Sequence, residues 1–184
     1  MLFRSDAGVA EQSERFGEII RDFDGGPFEW ATRAEERSRL WKARHDAYWA
    51  LRSFRAGAMP VFTDVCVPIS RLAECVMATK QDIAETRILA PIVGHVGDGN
   101  FHVAPLVMMD DADEVARTKA FIDRLTERAL AMEGTCTGEH GIGQGKQRFL
   151  EPELGAASVA AMRAIKQALD PQGIMNPEKI FPGA

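Results

Sequence analysis

An Asp-Gly pair set between two apolar runs is the tightest constraint this sequence places on its own fold. The runs are residues 90–93 and 101–108, and the pair lies inside Gly94-His95-Val96-Gly97-Asp98-Gly99-Asn100-Phe101-His102. Asp-Gly between such runs signals a hairpin closed by a two-residue turn. In that register Gly97 pairs with Asn100, Val96 with Phe101, and His95 with His102. Directly opposed residues share one face of the sheet with Cβ atoms about 4.5–5.5 Å apart, so the two imidazoles converge on a common atom. That is a metal-ligand geometry, although a hairpin whose histidines make ordinary hydrogen bonds also fits the pair.

A second stretch weighs on the choice. Gly134-Thr135-Cys136-Thr137-Gly138-Glu139-His140-Gly141-Ile142-Gly143 sets a carboxylate beside a histidine in a glycine-rich loop, and glycine lets backbone turn sharply and approach a ligand. Three of the chain's four histidines fall in these two stretches. Two His and one Glu with a fourth position open is a ligand set of catalytic metals, and two His with one carboxylate also suits non-haem iron. Whichever histidine is left over is then available for acid-base work.

Composition narrows the class. With 184 residues, 46% apolar and 27% charged, the expectation is one ordinary globular domain or one lobe of a larger enzyme. A formal charge of −5 offers no electrostatic reason to bind nucleic acid. No apolar run approaches the roughly 20 residues that span a bilayer, and residues 1–10 lack the apolar core of a signal peptide, so a cytoplasmic chain is expected. Cys66, Cys75 and Cys136 are odd in number and lack Cys-x-x-Cys spacing, as reduced thiols do, and Cys136 reads as a small packing residue.

Taken in order, Leu2-Phe3 is too short for a convincing strand, and residues 8–24 carry Val9, Phe16, Ile19, Ile20 and Phe23 at helical spacing, stopped by Gly25-Gly26-Pro27. Residues 28–31 read as a short strand. Thr32 with Glu35 is a capping box opening a helix to about Phe54, whose apolar stripe of Leu40, Ala47 or Tyr48, and Leu51 includes Arg44. An inward arginine needs a partner, either a structural carboxylate or an anion gripped bidentately. Residues 61–67 read as one buried strand ended by Pro68, and Ser70 as the cap of a helix facing Leu72, Ala73, Val76, Met77 and Ile83 inward. After the hairpin, Asp111 with Glu114 caps a helix with inner residues Val115, Ile122, Leu125, Ala129 and Met132, closed by Gly134. A last helix runs from about Pro152 to Leu169. The order gives an α+β fold, an antiparallel sheet with helices packed on one face.

Four ordered motifs carry a resemblance. Thr63-Asp64-Val65-Cys66-Val67-Pro68, the 94–102 stretch, Gly138-Glu139-His140-Gly141-Ile142-Gly143, and Leu169-Asp170-Pro171-Gln172-Gly173-Ile174-Met175-Asn176-Pro177-x-Lys179 together resemble the C-terminal half of FAD-linked D-2-hydroxy-acid dehydrogenases. These belong to the vanillyl-alcohol-oxidase-like superfamily, and the likeness is strongest to the cytochrome-type D-lactate dehydrogenase and glycolate oxidase flavin subunit groups. It covers nearly the whole chain from about Val9.

The resemblance implies that His95, His102 and Glu139 are ligands of a divalent metal (zinc, manganese or iron) and that His140 takes the hydroxyl proton. It implies that Arg44 holds the substrate carboxylate with Asn100 a polar residue at the same site, and that Asn176 and Lys179 return toward FAD. The domain that chiefly binds FAD in such proteins is not found in these 184 residues, so residues 1–184 are expected to be a C-terminal (cap) domain working with an FAD-binding domain or subunit. An electron-transfer acceptor and peripheral association with the respiratory membrane are the further expectations. A non-catalytic remnant or a metal-binding module acting through a partner stays open beside the dehydrogenase reading. Isolated, such a chain is expected to cover its exposed site face by forming a homo-oligomer.

Overall fold

A computed structural model describes residues 5–26 and 28–183. The chain divides into two compact units, Met1–Ala50 and Leu51–Ala184. Leu2, Phe3 and Pro27, which figured in the sequence reading, lie outside the described residues.

In the first unit, α1 (Asp6–Asp22) opens on Ser5, whose hydroxyl accepts the Gly8 N–H at 3.2 Å. Asp6 in its first turn and Arg21 in its last complement the helix dipole. Residues 28–31 form no strand: Phe28 packs edge-on against Phe16 (centroids 5.0 Å apart) and over Gly17 instead of entering a ladder. Helix α2 (Ala34–Phe54) starts two residues beyond Thr32 and buries none of its residues. Arg44 is therefore exposed rather than inward, with its guanidinium over the Trp41 ring at 5.4 Å. Periodicity marks the face of a helix that can pack; it does not supply the layer to pack on.

The second unit holds β1 (Met59–Pro60), β2 (Val65–Cys66), α3 (Ile69–Thr86), β3 (Ile92–His95), β4 (Asn100–Val103), β5 (Leu106–Val107), α4 (Ala112–Ala131), α5 (Gln147–Leu154) and α6 (Ala156–Leu169). Two antiparallel sheets result, β1-β5 and β2-β4-β3. The single strand expected over 61–67 is split between them. Val61 and Thr63 still donate to the carbonyls of Pro105 and Val103 at 2.9 Å. Reciprocity fails, however, because Pro105 has no N–H and the Val103 N–H goes to the Thr63 hydroxyl at 2.8 Å.

The hairpin forms in a different register from the expected one. Ile92 pairs with Val103, Val93 with His102, Gly94 with Phe101 and His95 with Asn100, leaving the four residues 96–99 as the turn. The third strand decides this. Gly99 gives its carbonyl to Val67 N–H at 3.0 Å, and a Cβ on it would lie 2.0 Å from Val67 O, at a φ of +78° that favours glycine. The slip is two residues, and side chains alternate with period two, so His95 and His102 remain on one face as diagonal neighbours.

On the other face, Phe101 and Val103 pack with Val65 and Val67 against Cys75 of α3 and Phe121, Leu125 and Ala129 of α4. Helix α3 takes Pro68 as N-cap without a side-chain cap bond, so Ser70 is already helical. Its buried positions are Cys75, Thr79 and Asp82, with Leu72, Val76 and Ile83 at the margin, while Ala73 and Met77 are exposed. Asp82 accepts from Arg124 (2.5 Å) and Arg128 (2.8 Å), and Arg128 also donates to Thr79 (3.0 Å), a polar seam between α3 and α4 that apolar periodicity cannot register.

Asp111 caps α4 as expected, accepting Glu114 N–H at 2.9 Å, but the Glu114 carboxylate pairs with Arg55 rather than reaching back. On the inner face, Phe121 is fully buried where Val115 is only partly so. The helix ends with Glu133 at φ +59° donating to Leu130 O (3.0 Å) and Gly134 to Ala129 O (2.9 Å), a Schellman closure with a non-glycine in the left-handed position. Gly134 is needed one residue later, where a Cβ would meet Cys66 O at 2.3 Å. The last helix is two helices: Pro152 lies inside α5, and Gly155 at φ +80° separates α5 from α6. Leu150, Val159 and Phe181 form a small core of their own.

Candidate metal and acid-base site

Strand β4 is buried along its whole length because both its faces are covered: the helices lie on one and the glycine-rich loop after α4 on the other. On the loop side, the His95 and His102 rings stand 5.7 Å apart at 89°. Glu139 enters between the histidines. Its Oε1 is 2.8 Å from His102 Nε2, 3.6 Å from His95 Nε2 and 3.6 Å from His140 Nε2. The His140 ring lies parallel to that of His102, 7° between planes and 5.1 Å between centroids.

The donor set fits a cation. His102 Nδ1 is 2.9 Å from the Thr63 carbonyl oxygen, which can only accept, so Nδ1 carries the hydrogen. When Nδ1 alone is protonated, the Nε2 lone pair faces a carboxylate oxygen at 2.8 Å, a repulsive arrangement unless a proton or metal ion sits between them. One ligand atom each from His95, His102 and Glu139 lies within 4.8 Å of the others. A tetrahedral ion with bonds of about 2.0–2.1 Å spaces its ligand atoms by roughly 3.3 Å, close to the separations seen. A ring nitrogen held by a backbone carbonyl is also the usual way a metal-ligating histidine is aimed.

The loop is fastened to Asp64, 1% exposed. Asp64 Oδ2 accepts the N–H of His140 (2.7 Å), the N–H of Glu139 (3.0 Å) and the Thr137 hydroxyl (2.9 Å), and Oδ1 accepts Asn100 Nδ2 (2.9 Å). Burial pushes the Asp64 carboxyl up, but the His140 and Glu139 amides, Asn100 and Thr137 outweigh it and hold the group well below the usual carboxylate range. Lys146, at the far end of the loop, donates to the Asp64 carbonyl at 2.7 Å, and burial lowers its own pKa against the attraction of Asp64. Cys136 is fully buried, its thiol pushed up to about 12 by burial and by Glu153, which accepts the Cys136 N–H at 2.9 Å; it is a packing residue, as expected.

His95, His102, Glu139 and His140 are thus brought together, and the other expected site residues are placed as follows. Asn100 is 6% exposed, with Nδ2 committed to Asp64 and to the Val65 carbonyl (3.0 Å) and Oδ1 unpartnered. Asn176 and Lys179 lie in the tail beyond α6, exposed, and that tail runs beside the end of the loop through Ile180 N–H to Gly143 O (2.7 Å) and Gln147 to Glu178 O (2.7 Å). Arg44 belongs to the other unit. Sequence reasoning missed Thr63, Asp64, Thr137 and Lys146. One signal was available: an aspartate inside an apolar strand is a buried charge, and such a charge must be compensated.

Comparison with known proteins gives consistent relatives. A family model described as FAD linked oxidases, C-terminal domain, matches residues 3–180. A probable mitochondrial D-lactate dehydrogenase of Danio rerio is 50% identical over 177 residues, covering 96% of this chain and 36% of its own length. The mitochondrial D-lactate dehydrogenase (cytochrome) of Arabidopsis thaliana is 40% identical over 182 residues, 97% of this chain and 31% of its own. Glycolate oxidase subunit GlcD of Bacillus subtilis is 34% identical over 173 residues, 94% of this chain and 36% of its own. The chain therefore spans about a third of the length of these relatives. Among solved structures, 4-ethylphenol oxidase from Gulosibacter chungangensis in an isoeugenol complex superimposes with a TM-score of 0.57 at 21% identity, over 95% of this chain and 38% of that one, a likeness of fold.

Proposed function

Since this chain belongs to the family of FAD-linked oxidase C-terminal domains, we propose that it is the substrate- and metal-binding part of a flavin-dependent D-2-hydroxy-acid dehydrogenase of the D-lactate or glycolate type. The observation that carries the reading is the convergence of His95, His102 and Glu139 on one point with His140 stacked alongside. His95, His102 and Glu139 would hold one divalent ion, zinc, manganese or iron, a set that discriminates poorly among them. When bound, the ion would supply polarisation of a 2-hydroxyl and FAD would supply a hydride acceptor.

The chain's own groups do the rest. The imidazole of His140, half exposed beside the ligand set, receives the hydroxyl proton. Arg44 grips the substrate carboxylate, the bidentate task a guanidinium suits. Asn100 is the polar residue assigned to the substrate side, with its amide nitrogen already held by Asp64 and the Val65 carbonyl. Asn176 and Lys179 serve the flavin side, together with an FAD-binding portion and an electron acceptor. No Lys or Arg lies in residues 59–67 and position 48 is Tyr, so these positions contribute no second cation for a distal carboxylate, which favours a small monocarboxylate such as D-lactate.

Zinc titration of the purified chain tests the core of the reading. One equivalent should bind, and His102→Ala should lose it, because one of three protein ligands is gone. Full occupancy in that variant would refute the ligand set. With the FAD-binding portion supplied, D-lactate should be oxidised faster than 2-hydroxyglutarate, and the reverse order would overturn the substrate class.

Among the described residues, no helix is long and apolar enough to cross a membrane.

A further inference from the structure

Two overlapping groups of side chains present themselves as ligand sets: His95, His102 and Glu139, and Asp64, His102 and His140. Each has its atoms within 4.8 Å of one another, so distance alone does not choose between them. Hydrogen bonding does. Both Asp64 oxygens are already occupied, Oδ2 by three donors and Oδ1 by Asn100. An ion on Oδ2 would have to displace backbone N–H groups that are left unpaired in a buried place, a cost of about 1–3 kcal/mol for each group, and Oδ1 faces His102 through Nδ1 at 3.9 Å, the nitrogen already committed to the Thr63 carbonyl. Glu139 Oε1, by contrast, faces three histidine nitrogens, with no N–H donor from the backbone among the described residues.

We propose that Thr63-Asp64 is the outer shell of the metal site: the Thr63 carbonyl aims His102, and the Asp64 carboxylate positions Glu139 and His140 through their backbone without itself meeting the ion. The inference rests on the metal reading above and adds to it the residues that set affinity. A plain structural ion pair between Asp64 and Lys146 does not account for the geometry. Lys146 Nζ bonds the Asp64 carbonyl at 2.7 Å and stands 3.7 Å from the carboxylate, whereas the direct donors to the carboxylate are the loop and Asn100. The loop is thus pinned at two points on one residue, at its middle through the carboxylate and at residue 146 through the carbonyl. Between those points only Gly141 and Gly143, both at positive φ, need special backbone. The adjacent residues 63 and 64 thereby hold three of the four site residues, His102 by its ring and Glu139 and His140 by their backbone.

The test uses the whole chain, zinc for affinity and cobalt for its visible ligand-field spectrum. Asp64→Asn keeps size and shape but turns one acceptor oxygen into an NH2 facing other donors. Zinc affinity should fall by roughly 10- to 100-fold, the usual cost of losing an outer-shell partner, while binding stays one to one and the cobalt spectrum keeps its bands. Thr137→Val removes one of the four donors and should weaken zinc by a smaller factor, which keeps the proposal testable if Asp64→Asn does not fold. Unchanged affinity in a folded Asp64→Asn, or in Thr137→Val should that be the only variant to fold, overturns the outer-shell role and leaves the metal reading standing. Altered cobalt bands or lost stoichiometry would make Asp64 a direct ligand and also overturn it. Absence of zinc binding by the unmodified chain sinks the metal reading and this inference with it.

Discussion

Gly138→Ala should damage both stability and the site, against the usual direction for such a change. Where backbone permits, replacing glycine by alanine stabilises by about 0.4–1 kcal/mol through the unfolded chain. Here a Cβ would sit 2.0 Å from Asn100 Nδ2 and 3.0 Å from Asp64 Oδ1. Ordinary contact is about 3.5 Å, so either the Asn100 amide or the loop must give way. Asn100 is buried and cannot move without losing its bonds to Asp64 and to the Val65 carbonyl. A hydrogen bond to a charged partner is worth about 1.5–3 kcal/mol and a neutral one about 0.5–1.5, so a net loss of roughly 1–4 kcal/mol is expected after the entropic gain. Urea unfolding should show a lower midpoint at unchanged slope, and zinc affinity should fall in parallel. In an Asn100→Ala background the same substitution should cost far less, because the atom it strikes is gone. A Gly138→Ala chain as stable as the parent would refute the reasoning.

Asp82→Ala strands Arg128 in the α3–α4 seam and should cost about 3 kcal/mol, the low end for breaking a buried pair because Arg124 stays half exposed and hydrated; equilibrium unfolding measures it, and a loss under 1 kcal/mol would mean the seam is dispensable. Gly99→Ala should be worse than Gly138→Ala, since the Cβ meets a backbone oxygen at 2.0 Å and φ is +78°, and amide exchange should find the β2–β4 ladder opened. For acid stability the sign follows from Asp64 and Asp82, both depressed in the folded state. Their contribution is fully present above the unfolded value of about 3.9 and is lost as pH falls from there through the folded values. Acid titration of the unfolding free energy should therefore be steep below about pH 4, and Asp64→Asn should flatten it; an unchanged slope would contradict the assignment.

The α+β class, the Asp111 cap and the shared face of His95 and His102 were legible because each depends on local chemistry or on period-two alternation, whereas Glu139 joins them across a loop and was expected only from the resemblance. The hairpin illustrates the limit. Its register was misread by two residues because a third strand claims Gly99, yet the facing of both histidines survived, whereas a slip of one would have reversed it. What stayed hidden was polar and long-range: Asp82 with its two arginines, and Asp64 with donors 36 to 76 positions away. Apolar periodicity is silent about such groups. The break at Gly155 was obscured because Pro152 reads as a helix start, and here it sits inside one.

Strand β4 has a consequence for how this molecule yields to heat. Phe101 and Val103 are sealed in the main core while Asn100 and His102, their neighbours in sequence, face the site. Loosening β4 at Asn100 or His102 therefore disturbs the core behind it as well, so occupation of one face of the strand is coupled to cohesion of the other. An ion present at a hundred times its dissociation constant adds about 2.7 kcal/mol to the unfolding free energy. Melting temperature becomes a titration curve for the site, legible before any turnover is measured.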